Sequence, residues 1–163
     1  GPMLARQSLR LTRDDVAGSV TGTLSTLGAD LLLATLPDFL AGNLTPQSQD
    51  DSLATYAPML KKGDGRLDFT RPATELERRV RAMNPWPGAW LEYNGEPLKV
   101  LRAHTEIIFT YMIQPPGKHT VNNGMPAIFG GDNGLLVLEE VQPAGKNPMS
   151  GKSFLAGGRK WVE

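Results

Sequence analysis

The stretch Gly145-Lys146-Asn147-Pro148-Met149-Ser150-Gly151-Lys152-Ser153 follows an apolar run and ends in Gly-Lys-Ser, the order in which a phosphate-binding loop offers its amides and its lysine. The spacing does not fit. Such a loop needs four residues between its glycines so that successive amides converge on one phosphate; here five intervene, and Pro148 among them has no amide hydrogen. Gly157-Gly158 then arrives too soon for a long helix, so nucleotide hydrolysis is excluded. His104 and His119 have no serine or aspartate spaced to complete a triad, and both read as surface residues. Cysteine is absent, which removes thiolate metal sites, thiol nucleophiles and disulfides, and two histidines cannot make a three-histidine metal site. The acidic pairs Asp14-Asp15, Asp50-Asp51 and Glu139-Glu140 are sequence neighbours whose side chains diverge; a cap, a linker and a strand end explain them better than acid–base catalysis.

What remains is basic: Lys61, Lys62 and Arg66, then Arg78, Arg79 and Arg81 on one helical stretch, then Lys146 and Lys152. Over the whole chain 17 Lys and Arg balance 17 Asp and Glu, yet residues 1–60 carry three basic groups against six acidic ones, leaving the remainder net positive. That asymmetry points to an anionic partner for the second part, because lysines and arginines that neutralise phosphates supply most non-specific nucleic-acid affinity. Glu75 with Arg79 and Glu77 with Arg81 are four-residue pairs found on any soluble helix. On the residues alone, a nucleic-acid face and a solvated face both stay open.

The elements that must carry these groups follow from periodicity. Met3 to Leu11 alternates imperfectly and predicts a strand. Val16, Val20, Leu24, Leu27 and Leu31 fall on one helical face; Gly28 would break that helix in two, Pro37 would kink or restart it, and Gly42 would stop it. The apolar run Leu31–Leu36 is far shorter than the roughly 20 residues a bilayer requires, so no membrane span is expected; the amino terminus has no positive cluster leading into a long apolar stretch, so no signal peptide is expected either, and the cytoplasm is the default location. From Asn43 to Met59 the chain is polar and turn-rich, as a linker is. Pro72 to Met83 predicts a helix ended by Asn84-Pro85. Ala89–Tyr93 and Pro97–Ala103 flank Asn94-Gly95 as a hairpin, Ile107–Ile113 is a further apolar run, and Ala127–Phe129 and Leu135–Val141 flank Gly130-Gly131-Asp132-Asn133-Gly134. Glycine and proline make up 31 of 163 residues, which disfavours a helix bundle, and one helix with several short strands predicts a small closed or half-closed barrel.

Arg81-Ala82-Met83-Asn84-Pro85-Trp86-Pro87-Gly88-Ala89-Trp90, followed by Leu136-Val137-Leu138 and by Gln142-Pro143-Ala144-Gly145-Lys146-Asn147-Pro148-Met149-Ser150, closely resembles the carboxy-terminal domain of the methionyl-tRNA formyltransferase family. Thr55-Tyr56-Ala57-Pro58, Lys62 and Asp64-Gly65-Arg66-Leu67-Asp68-Phe69 resemble the family's linker exit, and Leu27-Gly28-Ala29 through Gly42 its last catalytic-domain helices. The resemblance implies an α+β chain: residues 1–42 as a helical remnant of a Rossmann-like formyltransferase domain, 43–62 as a linker, and 63–163 as an OB-fold-like β-barrel with one main helix. It implies initiator methionyl-tRNA as the partner, touched through phosphates by Lys61, Lys62, Arg66, Arg78, Arg81, Lys146 and Lys152. The family's formyl donor is 10-formyltetrahydrofolate; its catalytic Asn, His and Asp have no counterpart here, so no cofactor is expected on this chain and none of its residues is assigned a catalytic role. Met59 stands where the family often has lysine, and Pro37 falls in a helix that is usually uninterrupted. Trp86 and Trp90 are expected to plug the barrel core rather than to stack on bases. Residues 1–42 would lack their partner strands and are expected to self-associate. A related small-molecule formyltransferase or formyltetrahydrofolate hydrolase, or a stand-alone interaction barrel, are the alternatives.

Overall fold

The computed structural model describes residues 1–108, 112–157 and 160–162. The chain divides into two compact units, Gly1–Met59 and Leu60–Glu163.

The first unit is dominated by one helix, α1 (Ala17–Leu40). Asp15 holds its start, accepting from the Thr12 amide and hydroxyl at 2.8 and 2.9 Å, while the Ser19 hydroxyl accepts from the Val16 amide at 3.1 Å. The helix runs unbroken through Gly28 and contains Pro37, against the expected break and restart. A glycine in a helix interior costs about 1 kcal/mol, which flanking turns can absorb. The predicted strand Met3–Leu11 does not form: Met3 alone makes an antiparallel bridge, exchanging backbone hydrogen bonds with Gln47 at 2.8 and 2.9 Å. With one bridge and no sheet beside it, the rest of that segment has no ladder to join. None of α1 is buried; the predicted stripe is merely its less exposed side, with Val20, Leu27 and Leu31 half-buried and Leu24 exposed. By length and composition alone α1 is also apolar enough to cross a membrane, with a mean hydropathy of 1.2. The expectation of no span rested on unbroken apolar runs, whereas this average is carried by alanines and leucines interleaved with Gly, Ser and Thr. Asp30 near its middle would be costly at a bilayer centre.

The second unit is built on one antiparallel sheet. Its strands are β1 (Ala89–Tyr93), β2 (Glu96–Glu106), β3 (His119–Asn122), β4 (Met125–Phe129), β5 (Leu135–Pro143) and β6 (Met149–Ser150), in the order β1-β2-β5-β4-β3 with β6 also on β5. Among the described residues no pairing joins β1 back to β3. Asn94 and Gly95 take positive φ, 53° and 79°, as the hairpin signal requires. Asn123-Gly124 turns β3 into β4 the same way, at 49° and 73°. The run Ile107–Ile113 is not a strand where it is described: Ile107, Ile108, Met112 and Ile113 lie outside the sheet, and residues 109–111 fall outside the described residues. Both edges of β5 are already taken, by β2 on one side and by β4 and β6 on the other.

Helices α2 (Ala73–Ala82) and α3 (Gly151–Ala156) complete the unit. Residues Leu135–Leu138 of β5 are buried without alternation because both faces of the strand are covered. Leu136 and Leu138 join Leu76 and Val80 of α2, Phe154 of α3 and Trp161 in the larger core, whereas Leu135 and Val137 pack with Ala127 and Phe129 in a smaller one. The first turn of α2 is capped from far along the chain: the Asp132 carboxylate accepts from the Ala73 amide at 3.0 Å and the Gly134 amide at 3.1 Å. The loop comes so close that a Cβ on Gly131 would lie 1.9 Å from the Thr70 carbonyl oxygen.

Candidate nucleic-acid interface

Lys61 and Lys62 stand at a 3-10 turn, Lys62–Gly65, closed by the Lys61 amide donating to Asp64 Oδ2 at 2.7 Å. The turn is pinned on two sides. The Arg79 guanidinium of α2 donates to the Asp64 carbonyl, and Trp90 Nε1 of β1 donates to the Lys62 carbonyl at 3.2 Å. Both lysine side chains are left exposed. Arg66 follows, its guanidinium carbon 5.7 Å from the Trp90 ring centroid and its Nη2 3.6 Å from the Glu92 carboxylate. Both members of that ion pair are well exposed, so it contributes at most about 1 kcal/mol and leaves Arg66 able to exchange Glu92 for a phosphate.

The structure therefore brings Lys61, Lys62 and Arg66 together around Trp90. The other predicted contacts lie elsewhere. Arg78 is exposed on α2, but Arg81 is bound to Glu77 at 2.9 Å with only 25% of its side chain accessible, a poorly available phosphate ligand. Lys146 sits in the turn after β5, whose geometry is fixed by Gln142 Nε2 donating to the Lys146 carbonyl at 3.0 Å. Lys152 is exposed on α3 beside the β3–β4 turn, its Cε within 3.8 Å of where a Cβ on Gly124 would be.

Two expectations about aromatic and imidazole groups change. Trp86 is 56% exposed and plugs nothing, while Trp90 is half-buried under Arg66. The core role falls to Trp161, 3% exposed, whose Nε1 donates to the Thr120 carbonyl at 2.7 Å. The reason is local. The segment Asn84-Pro85-Trp86-Pro87 is held from its ends, by Asn84 Nδ2 on the Leu101 carbonyl and by the Gly88 amide on the Met83 carbonyl, which leaves Trp86 on the outside of the loop. Neither histidine is a free surface group. His119 stacks on Trp161 with ring centroids 4.1 Å apart and planes 7° from parallel. His104 lies between two carboxylates, Nδ1 at 3.0 Å from Glu139 and Nε2 at 3.2 Å from Glu106, with Arg102 at 2.8 Å on the other oxygen of Glu139. Irregular register between β2 and β5 around Arg102 puts these groups together. The hydrogen bond with His104, and after it one from Asn122 at 2.5 Å, hold the Glu106 carboxyl below the usual glutamate range.

Among the described residues no group of three or more His, Cys, Asp or Glu side chains forms a metal-binding cluster. What the geometry offers is cationic and aromatic: exposed ammonium and guanidinium groups on a rigid turn, with an indole beside them, which suits phosphates and flat bases rather than covalent chemistry.

Residues 59–159 match the family described as formyl transferase, C-terminal domain. Methionyl-tRNA formyltransferase from Roseiflexus sp. (strain RS-1) is 42% identical over 157 residues, covering 96% of this chain and 48% of that protein. The enzyme of the same name from Chloroflexus aurantiacus (strain ATCC 29366 / DSM 635 / J-10-fl) is 40% identical over 157 residues, covering 96% and 50%. The chain thus spans about half the length of the curated relatives it matches. Among solved structures, HypX from Aquifex aeolicus in complex with tetrahydrofolic acid is similar at a TM-score of 0.64 and 18% identity over 99% of this chain and 28% of that one, a likeness of fold. The second unit is an α+β fold with an antiparallel sheet and few helices, and the Asn-Pro-Trp-Pro and Gln-Pro-Ala-Gly-Lys-Asn-Pro segments lie within the matched residues: the chain belongs to the formyl transferase family, as its carboxy-terminal domain with the segment that precedes it.

Proposed function

We propose that this chain is the tRNA-binding portion of a methionyl-tRNA formyltransferase, working in the cytoplasm, whose intact form carries a formyl group from 10-formyltetrahydrofolate to the amino group of methionyl initiator tRNA. The observation that carries this reading is the grouping of Lys61, Lys62 and Arg66 on a pinned, exposed turn around Trp90, in a unit whose charge is net positive. The family relationship supports it. The second unit is read as an OB-type barrel holding that turn, and residues 1–42 as the end of a Rossmann-like catalytic domain. Formyl transfer is the work of groups this chain does not supply: a base for the methionyl amine and donors for the developing oxyanion.

The test is tRNA binding measured across salt concentrations. Each phosphate neutralised contributes about 0.7–0.9 to the slope of log K against log salt, so replacing Lys61, Lys62 and Arg66 by alanine should flatten the slope by about 2.1–2.7. An unchanged slope would move the site off this turn, and measurable formyl transfer by the 163-residue chain alone would overturn the division of labour. Self-association through residues 1–42 belongs to the same reading. Light scattering should show a dimer or larger species that a chain starting near Asp51 lacks, and a strictly monomeric full chain at high concentration would refute it.

A further inference from the structure

Trp86 is the one large apolar side chain left exposed between Leu60 and Ile107. Its position is nevertheless fixed by its segment. Asn84 Nδ2 donates to the Leu101 carbonyl at 3.2 Å and the Gly88 amide to the Met83 carbonyl at 2.8 Å, while Pro85 and Pro87 on either side hold φ by their rings. Among the described residues the Trp86 indole meets no other aromatic ring, no cation and no hydrogen-bond acceptor. The other two tryptophans are occupied: Trp90 lies under Arg66 and donates to the Lys62 carbonyl, and Trp161 is buried beneath His119.

The loop that carries Trp86 touches the basic turn through backbone. A Cβ on Gly65 would lie 1.9 Å from the Gly88 carbonyl oxygen, so the two segments are in direct contact there. Lys62 opens the 3-10 turn that ends at Gly65, about 6 Å away at about 2 Å per residue, and Trp86 precedes Gly88 by at most about 7 Å of chain. The exposed ammonium groups of Lys61 and Lys62 and the exposed indole therefore lie within reach of one short strand. Arg78, exposed on the helix that leads into the loop, adds a further cation.

A solitary indole does not make a protein interface, which takes on the order of 800 Å² per partner around an apolar core. It does suit one nucleotide base, because stacking asks only for a single open ring, and every base has a π-face, while cations nearby hold the strand's phosphates. We infer that Trp86 stacks on one unpaired base of the bound RNA, with the Lys61–Lys62 turn holding phosphates of the same strand. The inference rests on the RNA-binding reading above and extends it from phosphate attraction to recognition of a single-stranded position.

The full chain is titrated with tRNA, with hexa-adenylate, and with a fully abasic ribose-phosphate strand of the same length. The wild type should prefer hexa-adenylate over the abasic strand by about fivefold or more, the effect of one base stacked on an aromatic ring. Trp86→Ala and Trp86→Leu should both remove most of that preference and weaken tRNA by a similar factor, whereas Trp86→Phe, which keeps a ring, should retain much of it. None of the three removes a charge, so the salt slope should not change. Lys61→Ala with Lys62→Ala should do the opposite on the two short strands, keeping the preference and flattening the slope by about 1.4, about 0.7 for each phosphate on a single strand. Hexa-adenylate should also quench a part of the tryptophan emission that Trp86→Phe lacks. A preference that survives Trp86→Ala or Trp86→Leu overturns the platform, as does a wild type that binds tRNA but favours hexa-adenylate no more than the abasic strand; either leaves tRNA binding at the basic turn intact. Emission that shifts with protein concentration in the absence of RNA, and no longer does so in Trp86→Phe, also overturns it by showing that a second copy of the chain covers the indole. Failure of the wild type to bind any RNA, tRNA included, removes the function reading and this inference with it.

Discussion

Helix α3 has six residues and buries Phe154 completely; α1 has 24, is richer in leucine, and buries none. The difference lies in what stands opposite. α3 faces β4 and β5 and drops one aromatic side chain into a core already walled by α2 and two sheet strands. α1 has only a polar, turn-rich segment for company within its unit, and its hydroxyls turn inward: Thr21, Thr23, Ser25 and Thr35 donate to carbonyls one turn back, at 2.6 to 3.1 Å. Hydrophobic content sets how much a helix could gain from burial, and the surrounding chain sets whether it gains it.

The contrast is most easily broken with a pair of truncations. Phe154→Ala should cost about 3–5 kcal/mol, the usual loss for a fully buried aromatic side chain, whereas Leu32→Ala should stay within about 0.5 kcal/mol; urea unfolding measures both. Equal costs would mean that α1 is covered after all. Two glycines give the next largest difference, with opposite signs. Gly131→Ala must displace the Thr70 carbonyl and should destabilise by about 1–3 kcal/mol. Gly28→Ala, in an exposed helix interior with nothing within 4 Å of the added carbon, should stabilise by about 0.4–1 kcal/mol. Thermal denaturation of the two variants should therefore move in opposite directions. Asp132→Ala should cost about 1 kcal/mol through the lost α2 cap, while Asp30→Ala in α1 should be close to neutral.

The smallest effect concerns acid. The Glu106 carboxyl is held below its ordinary value in the fold, so its stabilising contribution is complete above that value and is lost as pH falls through the folded one. Glu106→Gln should be less stable than the wild type at neutral pH, and the gap should close as the solution is taken down towards about pH 3. A gap that stays constant with pH would show that packing, not charge, distinguishes the two.

Strong local signals were legible from the residues: the Asn94-Gly95 hairpin, the α2 amphipathic face, and the motifs that named the family. Asn123-Gly124 carries the same signal, but His119-Thr120-Val121-Asn122 is too short and polar to read as a strand without its neighbour β4. Of the basic residues, grouping was legible only where sequence neighbours stay neighbours, at Lys61, Lys62 and Arg66. The Glu77–Arg81 pair was legible from its four-residue spacing, whereas the stacking of His119 on Trp161, 42 residues apart, is a long-range fact that no period encodes. The strand expected over Met3–Leu11 failed for the reverse reason: its alternation is real, but a ladder needs a partner, and Gln47 supplies a single bridge.

The cap on α2 has a consequence for the order in which the molecule is made. Asp132 lies 59 residues after the amide it receives, and a ten-residue helix is too short to persist by itself in water. As the chain leaves the ribosome, α2 must wait for the loop after β4 before its first turn is secured, and the Lys62–Gly65 turn, held by Arg79 of that helix, waits with it. The exposed Lys61–Lys62 turn is therefore translated early in its unit, while the carboxylate that secures the helix holding it is translated late.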